Sequence, residues 1–364
     1  MKKKLLAIAV GAAMAPAIAL ADGPTVYGTI NLSYENGNRA GGWIVDEKVA
    51  EKHQDDLVNN RSALGVRGSS DLDIAGLTGF YQLEYRVDPT AQGSGLVNVE
   101  SFVGLKGDFG AVQAGSFSTP TRQLGFLVDQ FHGQAYGELR TIAGGELRPS
   151  QIIQYTSPKI ADLLTVTYAG ILVPAGGVDA TGDGGEGHTG LDSHSLSLLF
   201  DLGDFYAGLS YDHNALLDAD LGVLLDAEEI SSSANIMRFV AGARMDALEF
   251  GFLYQTVSSN DDDDAYGPIS ADIEASDLKD TTLLLSVGFN LTDDIKLKAQ
   301  WGETKASEGD EEDAGQSIEK ATLQMAGVDY RLGRNTTAYF NAGNRSVNGD
   351  KADAMYGIGI KHHF

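Results

Sequence analysis

The sequence predicts a membrane-spanning, antiparallel, up-and-down β-barrel of about sixteen strands, all β. Three observations predict it. Segments of about ten residues alternate between an apolar side and a polar, charged or glycine-rich side, and that length and period suit a strand crossing a bilayer at a tilt. Short turns and long polar connections alternate strictly along the chain, the asymmetry of a barrel with turns at one end and loops at the other. The final segment, Ala354 to Phe364, alternates to its last residue, as a strand does when it closes against the first one.

In chain order, Lys2, Lys3 and Lys4 precede an apolar run from Leu5 to Leu20, and Ala19-Leu20-Ala21 has the form of a cleavage site. Residues 1–21 therefore read as a secretory signal peptide and 22–364 as the barrel domain. The first strand is Thr25–Tyr34, with Val26, Ile30, Leu32 and Tyr34 on one face and Thr29, Asn31 and Ser33 on the other. A long charged loop follows. Arg61–Gly68 turns Arg61 and Arg67 inward; Leu77–Val87 turns Gln82, Glu84 and Arg86 inward. Val97–Lys106 alternates poorly and its facing stays open. Ala111–Phe117 leads into a connection, Gly115 to Ser150, too long for an ordinary turn and so expected to be functional. Gln151–Ser157, Leu163–Ile171, His194–Leu202 and Phe205–Asp212 follow. Ile236–Met245 sets Arg238 and Arg244 inward, Leu248–Thr256 and Thr281–Leu291 alternate cleanly, and Ile295–Thr304 sets Lys296, Lys298 and Gln300 inward. Ala321–Leu332 and Thr336–Arg345 precede the terminal strand, whose outward residues are Tyr356, Ile358, Ile360 and Phe364.

Composition narrows the function. There are no cysteines, so disulfide and thiol chemistry are excluded. The net charge is −25, or −28 without the three signal lysines, which argues against a nucleic-acid partner. The polar second face implies a wet interior, unlike a two-layer soluble sandwich. His188, His194 and His213 lie near Ser193 and Ser195 in sequence, but no spacing brings nucleophile, base and orienter together, and an enzyme is not expected. Asp179, Asp183 and Glu186 form an oxygen-rich glycine loop, a weak calcium candidate without EF-hand spacing. No cofactor is expected beyond divalent ions on such loops.

Several motifs in order carry a family resemblance. Asn60-Arg61-Ser62-Ala63-Leu64-Gly65-Val66-Arg67-Gly68, Gly76-Leu77-Thr78-Gly79-Phe80-Tyr81-Gln82-Leu83-Glu84, Phe102-Val103-Gly104-Leu105-Lys106-Gly107-Asp108-Phe109-Gly110, and Arg148 with Gln151-Ile152-Ile153-Gln154-Tyr155-Thr156-Ser157-Pro158 resemble successive strands of the general diffusion porins of Gram-negative outer membranes. The resemblance implies a homotrimer of sixteen-stranded barrels in outer-membrane lipid and lipopolysaccharide. It also implies a terminal strand read by the barrel insertion machinery, and a third loop folded into the pore. There the loop acids face a basic wall to form a constriction. Here the acids are Asp129, Glu138 and Glu146, the loop bases Arg122, Arg140 and Arg148, and the wall candidates Arg61, Arg67, Arg86, Arg238 and Arg244. The chain departs from the family at Thr29, Val99 and Ser116, where bases are common, and at His362. The sequence thus predicts passive diffusion of small hydrophilic solutes and ions. A cation preference follows from Asp129, Glu138 and the acidic rims Asp261–Asp264 and Glu308–Asp313. The alternatives are a solute-specific channel with a saturable site, and a plugged barrel serving as adhesin or receptor.

Overall fold

Why these segments become strands is visible in which side of each is covered. The computed structural model describes residues 23–38, 53–74, 76–91, 93, 95–172, 193–216, 233–259, 279–307, 319–347 and 353–364. The strands are β1 (Thr25–Asn38), β2 (His53–Asn59), β3 (Ala63–Asp71), β4 (Thr78–Arg86), β5 (Val97–Gly107), β6 (Gly110–Ser116), β7 (Ile152–Thr156), β8 (Leu164–Ile171) and β9 (Ser193–Asp201). They continue with β10 (Phe205–Leu216), β11 (Ser233–Met245), β12 (Leu248–Ser259), β13 (Lys279–Asn290), β14 (Ile295–Ser307), β15 (Glu319–Arg331), β16 (Thr336–Val347) and β17 (Asp353–His363). Each pairs antiparallel with its neighbours.

Seventeen segments make sixteen staves. β2 pairs with Leu32–Asn38 of β1 and β3 with Thr25–Thr29, so the two are halves of one stave interrupted at Asn60-Arg61-Ser62. Arg61 sits there at a φ of 60°, a left-handed conformation that a non-glycine residue adopts at a cost of about 1–2 kcal/mol. β17 closes the barrel on β1, from Thr29↔His363 to Gly37↔Met355. Gly28 and Phe364 exchange backbone hydrogen bonds of 3.0 and 3.1 Å. Closure leaves no unpaired edge, which a bilayer requires.

The outward face is an apolar belt. Val26, Leu83, Val103, Leu209, Phe250, Leu285, Phe340, Tyr356, Ile358, Ile360 and Phe364 are all exposed. The inward face carries Asn31, Ser33, Gln154, Gln255 and Gln300, all buried. Apolar out and polar in is the inverse of a soluble barrel and matches a hydrocarbon solvent. Among the described residues no helix is long and apolar enough to cross a membrane.

Two segments depart from the sequence reading. The charged loop expected after Tyr34 is partly strand: β1 runs on to Asn38 and pairs with β2. Its residues are polar because they extend above the apolar belt. The poor alternation of Val97–Lys106 has a cause in a bulge, where the β4–β5 register shifts between Glu84 and Tyr85. The extra residue flips the facing, so Val99 and Glu100 both turn inward while Val103 and Leu105 turn out. The proposed signal peptide lies outside the described residues.

Candidate functional site: the lumen and its inner segment

Residues 117–151 connect β6 to β7 and pack against the inward wall. Thr119 caps a short helix, α1 (Pro120–Gly125), by accepting from the Arg122 amide; a 3₁₀ turn follows at Leu139–Thr141. Leu124, Leu127, Val128, Phe131, Leu139 and Ile142 form one cluster with Leu199, Val240, Leu253, Leu284, Leu323 and Met325 of the wall. Burying one such side chain contributes about 1.5–3 kcal/mol. The first stem is held by Phe80, Phe102 and Phe117, whose rings meet edge-on at 6.1 and 5.6 Å. Wall side chains satisfy the segment's backbone carbonyls. Gln300 donates to Gly137 at 3.0 Å, Tyr206 to Leu127 at 2.7 Å, and Ser286 to Val128 at 2.5 Å. Glycines clear space beneath it: a Cβ on Gly302 would lie 2.1 Å from Ile142, and one on Gly251 2.9 Å from Val128.

The sequence-predicted residues fall into two groups. Arg238 and Arg244 clamp the segment. Arg238 is completely buried; it donates to Gln255 at 2.6 Å, to the Thr121 carbonyl at 2.9 Å, to Glu146 at 2.7 Å and to the Gly144 carbonyl at 3.2 Å. Arg244 lies over the Tyr206 ring at 4.9 Å and donates to the Leu127 carbonyl. Arg61, Arg86 and Arg148 instead line an open cavity of about 240 Å³ on the opposite side of the lumen. Arg67, near it, stacks over Tyr27 at 4.7 Å.

The three acids act as ties, Asp129 within the segment and Glu138 and Glu146 to the wall. Asp129 accepts from the Phe131 amide at 3.0 Å and the Leu139 amide at 2.8 Å, folding the segment on itself. Crowding by protein pushes its carboxyl up to about 7, although the two amides pull it down. Glu138 is buried and pairs with Arg61 at 2.6 Å and with Arg140. Glu146 pairs with Arg238, and Arg122 lies 3.8 Å away. Asp129 is therefore spent on the segment's own fold rather than facing open water, whereas Glu138 is buried in a pair with Arg61 of the wall.

Four bases and one acid line the cavity: Arg61, Arg86, Arg148 and Lys361 against Glu84. Lys361 was not among the sequence candidates, although alternation in the terminal strand already placed it inward. Two further carboxylates are bonded at the margin, Glu138 to Arg61 and Glu100 to Arg148 at 3.3 Å. Glu84 accepts from the Tyr27 hydroxyl at 2.8 Å. His132 and Gly133, at the tip of the segment, face the same space. Thr29 and Val99, two positions where the chain departs from the family's bases, are also on this wall.

His194 and His213 stack at 6.3 Å on the outward face, while Ser193 and Ser195 are buried inward. Alternation thus separates the imidazoles from the hydroxyls a hydrolase would need. Asp179, Asp183, Glu186 and the two acidic rims lie outside the described residues; among those described no cluster of three metal-ligating side chains occurs.

A sequence model of Gram-negative porins matches residues 6–350. The major outer membrane protein P.IB of Neisseria lactamica is 31% identical over 255 residues, 68% of each chain. That of Neisseria gonorrhoeae is 32% identical over 215 residues, so the match spans 57% of that relative's length and of this chain. Among solved structures, an anion-selective porin from Comamonas acidovorans superposes with a TM-score of 0.70 at 17% identity, covering 94% of this chain and 99% of that one. OmpT of Vibrio cholerae in its trimer form superposes with a TM-score of 0.64 at 15% identity, covering 94% and 99%.

Proposed function

The chain belongs to the Gram-negative porin family, and from that premise we propose that it forms a water-filled channel for passive diffusion of small hydrophilic solutes and ions. Its place is the outer membrane. The working unit on this reading is a homotrimer, a reading supported by the trimer form of the V. cholerae relative in fold.

The observation that carries the reading is the cavity between the wall of β1, β3 and β4 and the tip of the inner segment, lined by charged and polar side chains and open to water. The apolar cluster and the Arg238 clamp hold the inner segment against β9–β15, and its far end is bonded to the other wall by Asn31 to the Gly133 carbonyl at 3.2 Å and Arg61 to Glu138 at 2.6 Å. A permeating solute meets Arg61, Arg86, Arg148 and Lys361 together with Glu84. Guanidinium groups stay ionised and orient hydrated solutes, and a charged narrow section concentrates counter-ions. The cation preference expected from the sequence rests on Asp129 and Glu138 in the water and on acidic rims outside the described residues, and the placement of Asp129 and Glu138 removes their part of that support. The charge facing the cavity favours anions.

Planar-bilayer recording tests both parts. Stable conductance steps and flux linear in solute concentration are expected; saturation by one solute class would move the reading to a dedicated site, and no step at all to a plugged barrel. In a KCl gradient the reversal potential should indicate chloride preference, growing as salt is diluted. Arg86→Gln and Arg148→Gln should shift it toward potassium. Potassium preference in the native protein would overturn the proposed sign.

A further inference from the structure

We propose that His194 and His213 form a binding site for one divalent transition-metal ion, copper(II) most tightly, on the outward rim where β9 and β10 open into long connections. The two are direct cross-strand partners. His194 is the second residue of β9, after the connection 172–192, and His213 lies near the end of β10, before the connection 217–232. In such barrels the long connections are extracellular. The pair therefore stands at the water-facing edge of the apolar belt, above outward Leu196, Leu209 and Tyr211. It lies outside the lumen and goes beyond the channel reading.

The imidazole planes lie within 8° of parallel, with centroids 6.3 Å apart. A metal bonded to Nε2 at about 2.1 Å sits about 3.2 Å from the ring centre, so two imidazoles sharing one ion can have centroids up to about 6.5 Å apart. Side-chain rotation is then enough to turn both Nε2 atoms to one ion. The Nδ1 atoms are already committed. His213 Nδ1 lies 2.9 Å from Asn235 Oδ1. An amide oxygen only accepts, so in the neutral ring Nδ1 carries the proton and Nε2 the lone pair. The Asn214 amide donates to that same oxygen at 3.4 Å. His194 Nδ1 lies 2.7 Å from the Tyr168 hydroxyl, which can accept the Nδ1 proton once a metal holds Nε2. An oxygen behind each ring is how metal-bound histidines fix tautomer and orientation. Neither Nε2 has a hydrogen-bond partner among the described residues.

The backbone is shaped to aim His213. The β10–β11 register shifts between Asp212 and Ala215, and Asn214 takes a φ of 50°. Bulges re-aim side chains, and Asn235 ties this one down while orienting the imidazole. A ring serving only an aromatic girdle, as Tyr168 and Tyr211 beside the pair can, needs neither device. Donor chemistry sets the ion. Two imidazoles suit zinc, nickel and copper rather than calcium or magnesium, and the Irving–Williams order puts copper(II) first. Water completes the coordination on the exposed side of His213.

The test uses the full mature chain, untagged and refolded in detergent, with copper(II) alone as probe. Titration should show one tight ion per chain, and pulsed electron paramagnetic resonance should show two coordinated imidazoles. His194→Gln or His213→Gln should leave one imidazole in that signal, and the double variant should lose the tight ion. Asn235→Leu removes the oxygen behind His213 and should weaken binding about 10–100-fold, the usual effect of losing such a partner. His362→Gln, at the short-turn end of the barrel, should change nothing. A single-imidazole signal in the wild type, a tight ion kept by the double variant, or unchanged affinity in Asn235→Leu would each overturn the proposal. Equal loss from His362→Gln would mean an adventitious ion only. A wild-type conductance step in every variant shows that the barrel is intact. Absence of that step in the wild-type protein would instead strike the channel reading, so the two failures are distinguishable.

Discussion

Arg238→Met is the substitution that most directly tests how the lumen is shaped. The methionine keeps an apolar stem of similar length and removes the guanidinium. Four hydrogen bonds go with it, two to backbone carbonyls at opposite ends of the inner segment, Thr121 and Gly144. Glu146, buried, is left with Arg122 at 3.8 Å as its remaining cation. Removing one partner of a buried pair costs about 3–5 kcal/mol, because the other charge stays buried without it. The apolar cluster around Val128, Phe131 and Ile142 is untouched. The loss should therefore stay local: both stems loosen while the middle of the segment holds. Guanidinium unfolding in micelles should show the destabilisation, and amide exchange should rise across 119–125 and 143–148 but not across 127–131. Single channels should flicker. Adding Glu146→Gln removes the stranded charge and should restore about half of the loss; a double-mutant cycle measures that coupling. An unfolding midpoint and stem exchange equal to wild type in Arg238→Met would refute the clamp.

Three other outcomes follow from the same contacts. Asp129→Asn keeps one acceptor for two amide donors and should cost about 1–3 kcal/mol. Because the native carboxyl sits near 7 against 3.8 unfolded, the folded chain holds an extra proton between those values, so wild-type stability should fall as pH rises from about 4 to 7 and the variant should lack that slope; an unchanged slope counts against it. Gly302→Leu would drive a side chain into Ile142, 2.1 Å from the Cβ position, and should push the segment into the open cavity; unchanged conductance would show that the segment yields elsewhere. Deleting Phe364 removes both hydrogen bonds with Gly28 and should leave periplasmic, protease-sensitive protein, whereas normal yield of assembled barrel would deny the last residue its closing role.

The barrel was legible because its two solvents differ. Wherever lipid meets one face and water or polar protein the other, period two is written into the strand, as in Leu248–Ser259, with Phe250 and Tyr254 outward and Gln255 inward. It failed where that contrast ends. His53–Asn59 reads as loop because its stave rises past the apolar belt, and pairing with β1 is a long-range property that no local pattern records. At the β4–β5 bulge a single extra residue reverses the facing, and Val99, apolar, turns into the lumen.

The lumen was less legible, for a different reason. Its shape depends on apolar contacts in a face expected to be polar. Val240, Leu253, Leu284 and Leu323 all point inward, and their only trace in sequence is a local loss of alternation, as in Leu283-Leu284-Leu285. Such a run marks a wall position covered by something apolar, here the segment carrying Val128 and Ile142. Once that cover is in place, the loop acids are brought beside bases 77 and 92 residues away, Glu138 to Arg61 and Glu146 to Arg238. Formal charge counted along the chain then says little about the pore, because a buried ion pair contributes almost no net field at a distance. What a solute meets is the remainder after pairing, and pairing is decided by the apolar contacts that seat the segment. On the open wall Arg61 is paired with Glu138 and Arg148 with Glu100, so the four bases there stand against those two carboxylates and Glu84, in a chain whose acids outnumber its bases 51 to 26.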